Sequence, residues 1–339
     1  MSSIKKILRP FYRPITKRLR PTEHLTLIIN FIKDFKLYRR YSTAFGIKDL
    51  KNKEAEFIIQ YHRLEKGMLH ENMKQAFARE SILVLHQLMS DDDVIKSIAR
   101  SQIKVGFQVM CRYYELQEES GFDISNFYTK SQYEFYKNML AMDYSIEFSG
   151  ICNWNRIDFY KNTNEPFPIF AKSRKSVREF TGEKIRLDII EKVIELANTS
   201  PSVCNRQASN VYLVEEKSKI DRILDIQGGF RGFSKNVSQL LILTNDRKYY
   251  YSVGERNQLY IDGGIYLMNL LYALHCYQIG NCPANWGKTA KGEKKIYNVI
   301  ELSESEKIIC LIPIGVIPDK FRTTLSKRRD INENFKILN

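Results

Sequence analysis

Ser173-Arg174-Lys175-Ser176-Val177-Arg178-Glu179-Phe180 puts three cations and two hydroxyls within six residues. Guanidinium forks and hydroxyls donate to phosphate oxygens, so the run has the chemistry to surround a phosphate. A basic run at a domain start is also ordinary solvated surface, and alone it decides nothing. Downstream stands Ser200-Pro201-Ser202-Val203-Cys204-Asn205-Arg206-Gln207, directly after an amphipathic helix. Amide donors and acceptors at a helix end suit a heterocyclic edge, although a plain helix-ending loop reads the same way.

Working outward, the second half alternates helix and strand signals. Periodicity predicts a helix near Leu187–Asn198, strands near Asn210–Val214 and Gln239–Thr244, a long helix near Glu255–Gln278 and a strand near Ile308–Ile317. Upstream, Cys152, Asn153, Asn155, Asn162, Asn164, Pro166 and Pro168 are turn chemistry and set a boundary, leaving a helical domain over residues 25–165 and a mixed domain over 170–339. Within the helical part, Asp91, Asp92 and Asp93 sit where a helix begins. Carboxylates there cap free amides, so the triplet reads as structural and not as a metal site.

The net charge of +14 is uneven: residues 1–53 hold +11, residues 54–172 hold −4 and residues 173–339 hold +7. The basic arm over 1–24 places Ile4, Ile7, Leu8, Phe11, Ile15 and Leu19 at helical spacing, which resembles a membrane-surface segment, so residues 1–21 are a candidate peripheral membrane contact. Pro10 and Pro14 count against one continuous helix there. A nucleic-acid role for the arm is disfavoured, because no nucleic-acid motif accompanies the charge. No run is long enough to span a bilayer and no secretory signal is evident, so a cytoplasmic, membrane-peripheral location is expected. The six cysteines are scattered without a CxxC, which favours reduced thiols and gives no support for zinc.

Four stretches in order carry a more specific signal: Arg-Lys-Ser-Val-Arg-Glu-Phe, Pro-Ser-Val-Cys-Asn-Arg-Gln, Cys-Pro-Ala-Asn-Trp after a long helix, and a late Lys-Arg-Arg. This order resembles the FMN-dependent nitroreductase family over about residues 170–335. The resemblance implies an α+β fold, with an antiparallel sheet flanked by helices, here preceded by an all-α N-terminal domain. It implies a homodimer with FMN at the subunit interface and ping-pong hydride transfer from NADH or NADPH, through flavin N5, to a small-molecule electron acceptor. Arg174 and Ser176 would hold the FMN phosphate with Lys175 close by, and Lys327 and Arg329 would approach it. Arg178 would lie at the pyrimidine edge and tune the reduced ring, with no side chain acting as nucleophile, acid or base. Pro201, Ser202 and Asn205 would come from the partner, with Gln207 nearby. Pro283, Ala284, Asn285 and Trp286 would pass the flavin face, Trp286 being equally readable as a core anchor.

Two departures stand out: Ala208 and Ser209 replace the family's frequent Pro-Trp, and Lys175 stands where Arg or His is common. The run Tyr61-His62-Arg63-Leu64-Glu65-Lys66-Gly67 reads either as a charged helix end capped by a left-handed Gly67 or as a basic patch at the flavin mouth. In the second reading His62, Arg63 and Lys66 face the substrate. The run resembles one in nitroreductase-like proteins linked to surface-polysaccharide genes, which implies a role in that metabolism. The alternative to an enzyme is a flavin-fold binding or assembly module with reduced turnover.

Overall fold

The computed structural model describes residues 21–338, so the basic arm and its candidate membrane contact fall almost wholly outside the described residues. Helices α1 (Pro21–Tyr41), α2 (Leu50–Gly67), α3 (Arg79–Met89), α4 (Asp92–Lys96), α5 (Ser101–Glu119) and α6 (Lys130–Leu140) form the first half. No proline interrupts residues 25–148, which lets these helices run uninterrupted. Their shared core is rich in aromatics, including Phe57, Phe107, Tyr113, Tyr128 and Tyr136. Buried phenols need partners, and they have them: Tyr113 donates to Phe77 O at 2.9 Å, Tyr128 to Met110 O at 3.1 Å and Tyr61 to Gln102 Oε1 at 2.6 Å.

Glycine sets the closest approach in this bundle. A Cβ on Gly106 of α5 would lie 2.0 Å from the Phe57 ring of α2, so only a hydrogen fits. Gly67 obeys the same rule, since a Cβ there would lie 2.1 Å from Phe77. The expected left-handed cap at Gly67 is therefore not its role: Gly67 ends α2 within the helix, and the cap is Met68 at φ −67°. The acidic triplet does cap a helix. Asp91 accepts from Asp93 N at 3.0 Å, and Lys53 Nζ bridges Asp91 and Asp93 at 2.7 and 2.8 Å. Among the described residues no cluster of His, Cys, Asp and Glu has metal-site geometry.

The second half contains β1 (Ile151–Asn155), α7 (Arg156–Tyr160), α8 (Phe167–Ser173), α9 (Leu187–Ala197), β2 (Ser209–Val214), α10 (Lys217–Gln227), β3 (Gln239–Asp246) and α11 (Gln258–Cys276). It closes with β4 (Gly280–Asn281), β5 (Ala284–Asn285), α12 (Ala290–Lys294), β6 (Glu306–Gly315), β7 (Lys320–Thr324) and α13 (Ile331–Asn334). The antiparallel sheet runs β2-β3-β6-β4, with β5 also on β6. Its central strand is buried on both faces, and alternation sorts its side chains. Leu240 and Ile242 enter one core with Phe180, Ile223 and Trp286, while Leu241 and Leu243 enter the other with Val193, Leu270 and Leu274. Helices thus cover both faces.

The strands and helices predicted for this half all form, with ends shifted by a few residues. The turn-rich boundary behaves differently. Residues 151–155 form β1, which pairs antiparallel with β7 from Ile151–Thr324 to Asn155–Lys320 and so is held by the far end of the chain. A second tie is ionic. Buried Glu54 of α2 receives Arg100 at 2.8 Å and Arg329 at 3.1 Å, and Glu333 of α13 accepts from Ser101 N at 2.6 Å.

Candidate functional site

Segment 174–180 leaves α8 in extended conformation, with Arg174 at φ −63° and ψ 124°, and Val177 N donates to Asn281 O of β4 at 2.8 Å. Val177 and Phe180 are buried and anchor the segment. Gly315 makes room for Phe180, because a Cβ there would lie 3.1 Å from its ring, while a Cβ on Gly280 would strike Ile317 at 2.2 Å. Alternation along extended chain sets Arg174, Ser176 and Arg178 on the side opposite Val177.

Those arginines are half-buried, and Nη1 of both Arg174 and Arg178 is buried with no hydrogen-bond partner. Burial, reinforced by the charge of Arg328, lowers the Arg174 pKa. Lys66 of α2 reaches the same region, where burial and then the Arg178 charge lower its pKa. Burial raises the thiol pKa of Cys282, against the pull of Arg178, Arg174 and Lys66. Cations from both halves thus converge without a carboxylate among the described residues to neutralise Arg174, Arg178 or Lys66. Desolvated guanidinium donors left unpaired are costly, so the arrangement suits an anionic ligand supplied from outside. That is the donor set an FMN phosphate and an electron-rich ring edge require.

Loop 201–207 is built with strain. Cys204, Asn205 and Gln207 all have left-handed backbones, with φ of 50°, 56° and 51°. Such residues cost roughly 1–2 kcal/mol each outside glycine, Asn less, so their surroundings must hold them. Buried Asp262 of α11 supplies part of that hold: its two oxygens lie 3.4 and 3.3 Å from Val203 N, and it also accepts from Gln258 Nε2 at 2.8 Å and Tyr250 OH at 3.3 Å. Arg206 grips Glu255 at 2.8 and 3.0 Å and lies over the Tyr250 ring at 5.4 Å, holding the Glu255 carboxyl down at about 2. Gln207 N donates to Ser202 Oγ at 2.9 Å. In this chain the loop sits against α11.

Other expected residues are distributed differently. Trp286 is 4% exposed, packed in the sheet core with Nε1 3.4 Å from Glu293 Oε1, which makes it a core anchor. Ala284 and Asn285 pair with Leu311 and Cys310, Pro283 is half-buried, and Asn285 O accepts from Gln227 Nε2 at 2.9 Å. Arg329, expected at the phosphate, is committed to Glu54 and Glu333, and Lys327 O accepts from Gln102 Nε2 at 3.2 Å. The cation of that triplet that bears on Arg174 is Arg328. His62 turns to buried Glu65 at 2.9 Å and exposed Arg63 to Gln60 at 3.1 Å, while Lys175 is half-buried.

The sequence reading missed His275, Asp262 and Arg328. His275 is buried beneath the start of the 173–178 run, with Nε2 2.7 Å from Ser173 Oγ. Burial, then the nearby Arg174 charge, lowers its pKa to about 4, so it stays neutral and adds no further cation. A signal for Asp262 existed: a carboxylate inside an otherwise apolar helix needs a specific partner. Beside the cations lies a cavity of about 300 Å³ lined by His70, Glu71, Arg178, Glu179, Phe233 and Arg322, drawn from both halves of the chain.

Residues 171–230 match the model described as the Nitroreductase family. No curated protein matches the chain. Among solved structures, the chain is similar to an FMN-dependent nitroreductase from Clostridium difficile R20291, with 18% identity, 44% of this chain and 86% of that chain covered and a TM-score of 0.39. It is also similar to a nitroreductase-like protein from Streptococcus mutans, with 18% identity, 51% and 98% covered and a TM-score of 0.44. The match to that model is confined to residues 171–230, and it opens on the run whose buried guanidinium nitrogens lack partners.

Proposed function

We propose that the chain is an FMN-dependent oxidoreductase that works as a homodimer and takes reducing equivalents from NADH or NADPH. The observation that carries this reading is the pair of buried, partnerless Nη1 atoms on Arg174 and Arg178. Arg174 and Ser176, with Lys175 and Arg328 nearby, bind the phosphate. Arg178 and Lys66 face the pyrimidine edge, where positive charge favours an electron-rich ring. The strained loop with Pro201, Ser202, Asn205 and Gln207 serves the site of the second protomer, and Ala284 and Asn285 border the ring. Bound there, FMN would supply two-electron transfer chemistry between the nucleotide and the acceptor in separate half-reactions, the pattern of ping-pong kinetics. The protein's part is to bind, orient and tune. The cavity beside Arg178 admits the small-molecule acceptor, with Arg322 and His70 on its wall.

The test is an anaerobic stopped-flow titration of FMN-loaded full-length protein with NADH and NADPH, followed by reoxidation with quinones and nitroaromatics. Bleaching of the flavin absorbance by one nucleotide and recovery by an acceptor are expected. Failure to take up FMN would sink the reading, and bound FMN that neither nucleotide bleaches would favour the binding or assembly module.

A further inference from the structure

Helix α1 is amphipathic in an unusual sense, because its apolar side faces away from its own chain. Leu27, Asn30 and Asp34 share one side and are its half-covered positions, and Asp34 is fixed to Arg256 at 2.8 and 3.0 Å. The opposite side carries Leu25, Ile28, Ile29 and Ile32 at helical spacing, with Ile28 and Ile29 each 55% exposed. Lys33, Lys36 and Arg40 run along one edge of that stripe and are exposed. Elsewhere a groove of about 370 Å³ opens between α9 and the edge strand β2. Its floor is Ile190, Ile194, Val211 and Leu213, and its rim is Glu191 and Glu195. Both acids are exposed, and neither is paired among the described residues.

We infer that α1 of a second copy of this chain docks in the groove between α9 and β2. The apolar stripe covers the floor, and Lys36 and Arg40, one turn apart, meet Glu191 and Glu195, also one turn apart. The chain cannot seat its own α1 there in the arrangement described, because the Arg256 pair holds that helix with its stripe turned outward. A two-fold axis makes the contact twice and covers both unpartnered surfaces in each copy. The inference specifies the dimer contact of the proposed function and rests on its dimer, not on its flavin.

Sedimentation of the full chain across a dilution series tests it. The paired change Ile28→Asp with Ile32→Asp is expected to raise the dimer dissociation constant about 100-fold or more, and Glu191→Lys with Glu195→Lys about tenfold. All four positions are solvent-facing in one chain, and an unchanged far-ultraviolet dichroism confirms the fold. Combining Glu191→Lys and Glu195→Lys with Lys36→Glu and Arg40→Glu is expected to restore most of the wild-type constant, which no loss of folding would do. Unchanged constants in the single-surface variants, or charge reversals that add without rescue, overturn the inference while leaving the dimer. A wild-type chain that stays monomeric overturns both. Pelleting with phosphatidylserine vesicles that depends on Ile28 and Ile32, at an unchanged dimer constant, overturns it in favour of a lipid surface.

Discussion

Two clusters of arginine differ in the one respect that separates structure from function. Arg100 and Arg329 converge on buried Glu54, with Glu333 beside them, and their charges are answered within the protein. Arg174 and Arg178 converge with Lys66 and are answered by no carboxylate among the described residues, leaving buried guanidinium nitrogens unbonded. The same side chain thus ties the two halves together in one place and stands unpaired in the other. A paired cluster is fixed at folding, whereas an unpaired one holds its desolvation cost until a ligand offsets it.

The comparison breaks most visibly if the paired cluster loses its buried carboxylate. Glu54→Ala strips Arg100 and Arg329 of their closest shared acceptor, which is only 3% exposed, and leaves them Glu333 alone at 3.7 and 3.5 Å. The expected loss is about 3 kcal/mol of stability, read from urea denaturation, because two arginines then share the one longer contact to Glu333. An undiminished midpoint would show that the cluster is ornamental. FMN affinity is expected to hold in the same variant, provided the native baseline is used.

A pH titration sharpens the contrast between the halves, since each contains one buried neutral histidine. His86 in the helical core and His275 beneath the 173–178 run both have pKa values lowered to about 4, in each case chiefly by burial. An unfolded histidine titrates near 6.5, so the unfolded chain takes up protons first as pH falls. Stability is therefore full above about pH 6.5 and declines toward pH 4, by roughly 3 kcal/mol per histidine. His86→Phe and His275→Phe should each flatten that decline in part, measured by denaturation at pH 7 and pH 5. Equal slopes in wild type and both variants would contradict the burial argument.

At the unpaired cluster the effect shifts from stability to binding. Arg174→Ala is expected to weaken FMN binding by about 2 kcal/mol, near 30-fold, while leaving the thermal midpoint of flavin-free protein equal or higher, since a desolvated unpaired charge is removed. Fluorescence quenching and calorimetry read the two quantities separately. A drop in midpoint without loss of FMN affinity would make Arg174 a structural arginine like Arg329.

Much of the sheet half was legible because its signals are local. The alternation of β3 and the amphipathic spacing of α9 are properties of a few consecutive residues, and the extended run 174–178 carries its own alternation through Val177. What the sequence hid is pairing over distance. The partner of Arg329 is Glu54, 275 positions away, and β1 pairs with β7 across most of the second half. No periodicity reports such contacts, so Arg329 and Arg328 are indistinguishable until Glu54 is placed. Gly67 shows the same limit: at a helix end a glycine reads as a cap, and only the Phe77 ring reveals that it is a gap.

The smallest effect tests the comparison within the helical half alone. Asp91 caps the five-residue helix α4 and is bridged by Lys53 to Asp93. Asp91→Ala removes the side-chain acceptor for two backbone amides at a cost of about 1 kcal/mol, most of it from capping, because an ion pair this close to solvent adds little. Asp91→Asn retains the acceptor and loses the charge, so it should recover most of that amount in urea denaturation. If Asn recovers nothing, the charge and not the cap is what matters there. The triplet would then resemble the Glu54 cluster, where a carboxylate is kept for the cation it answers.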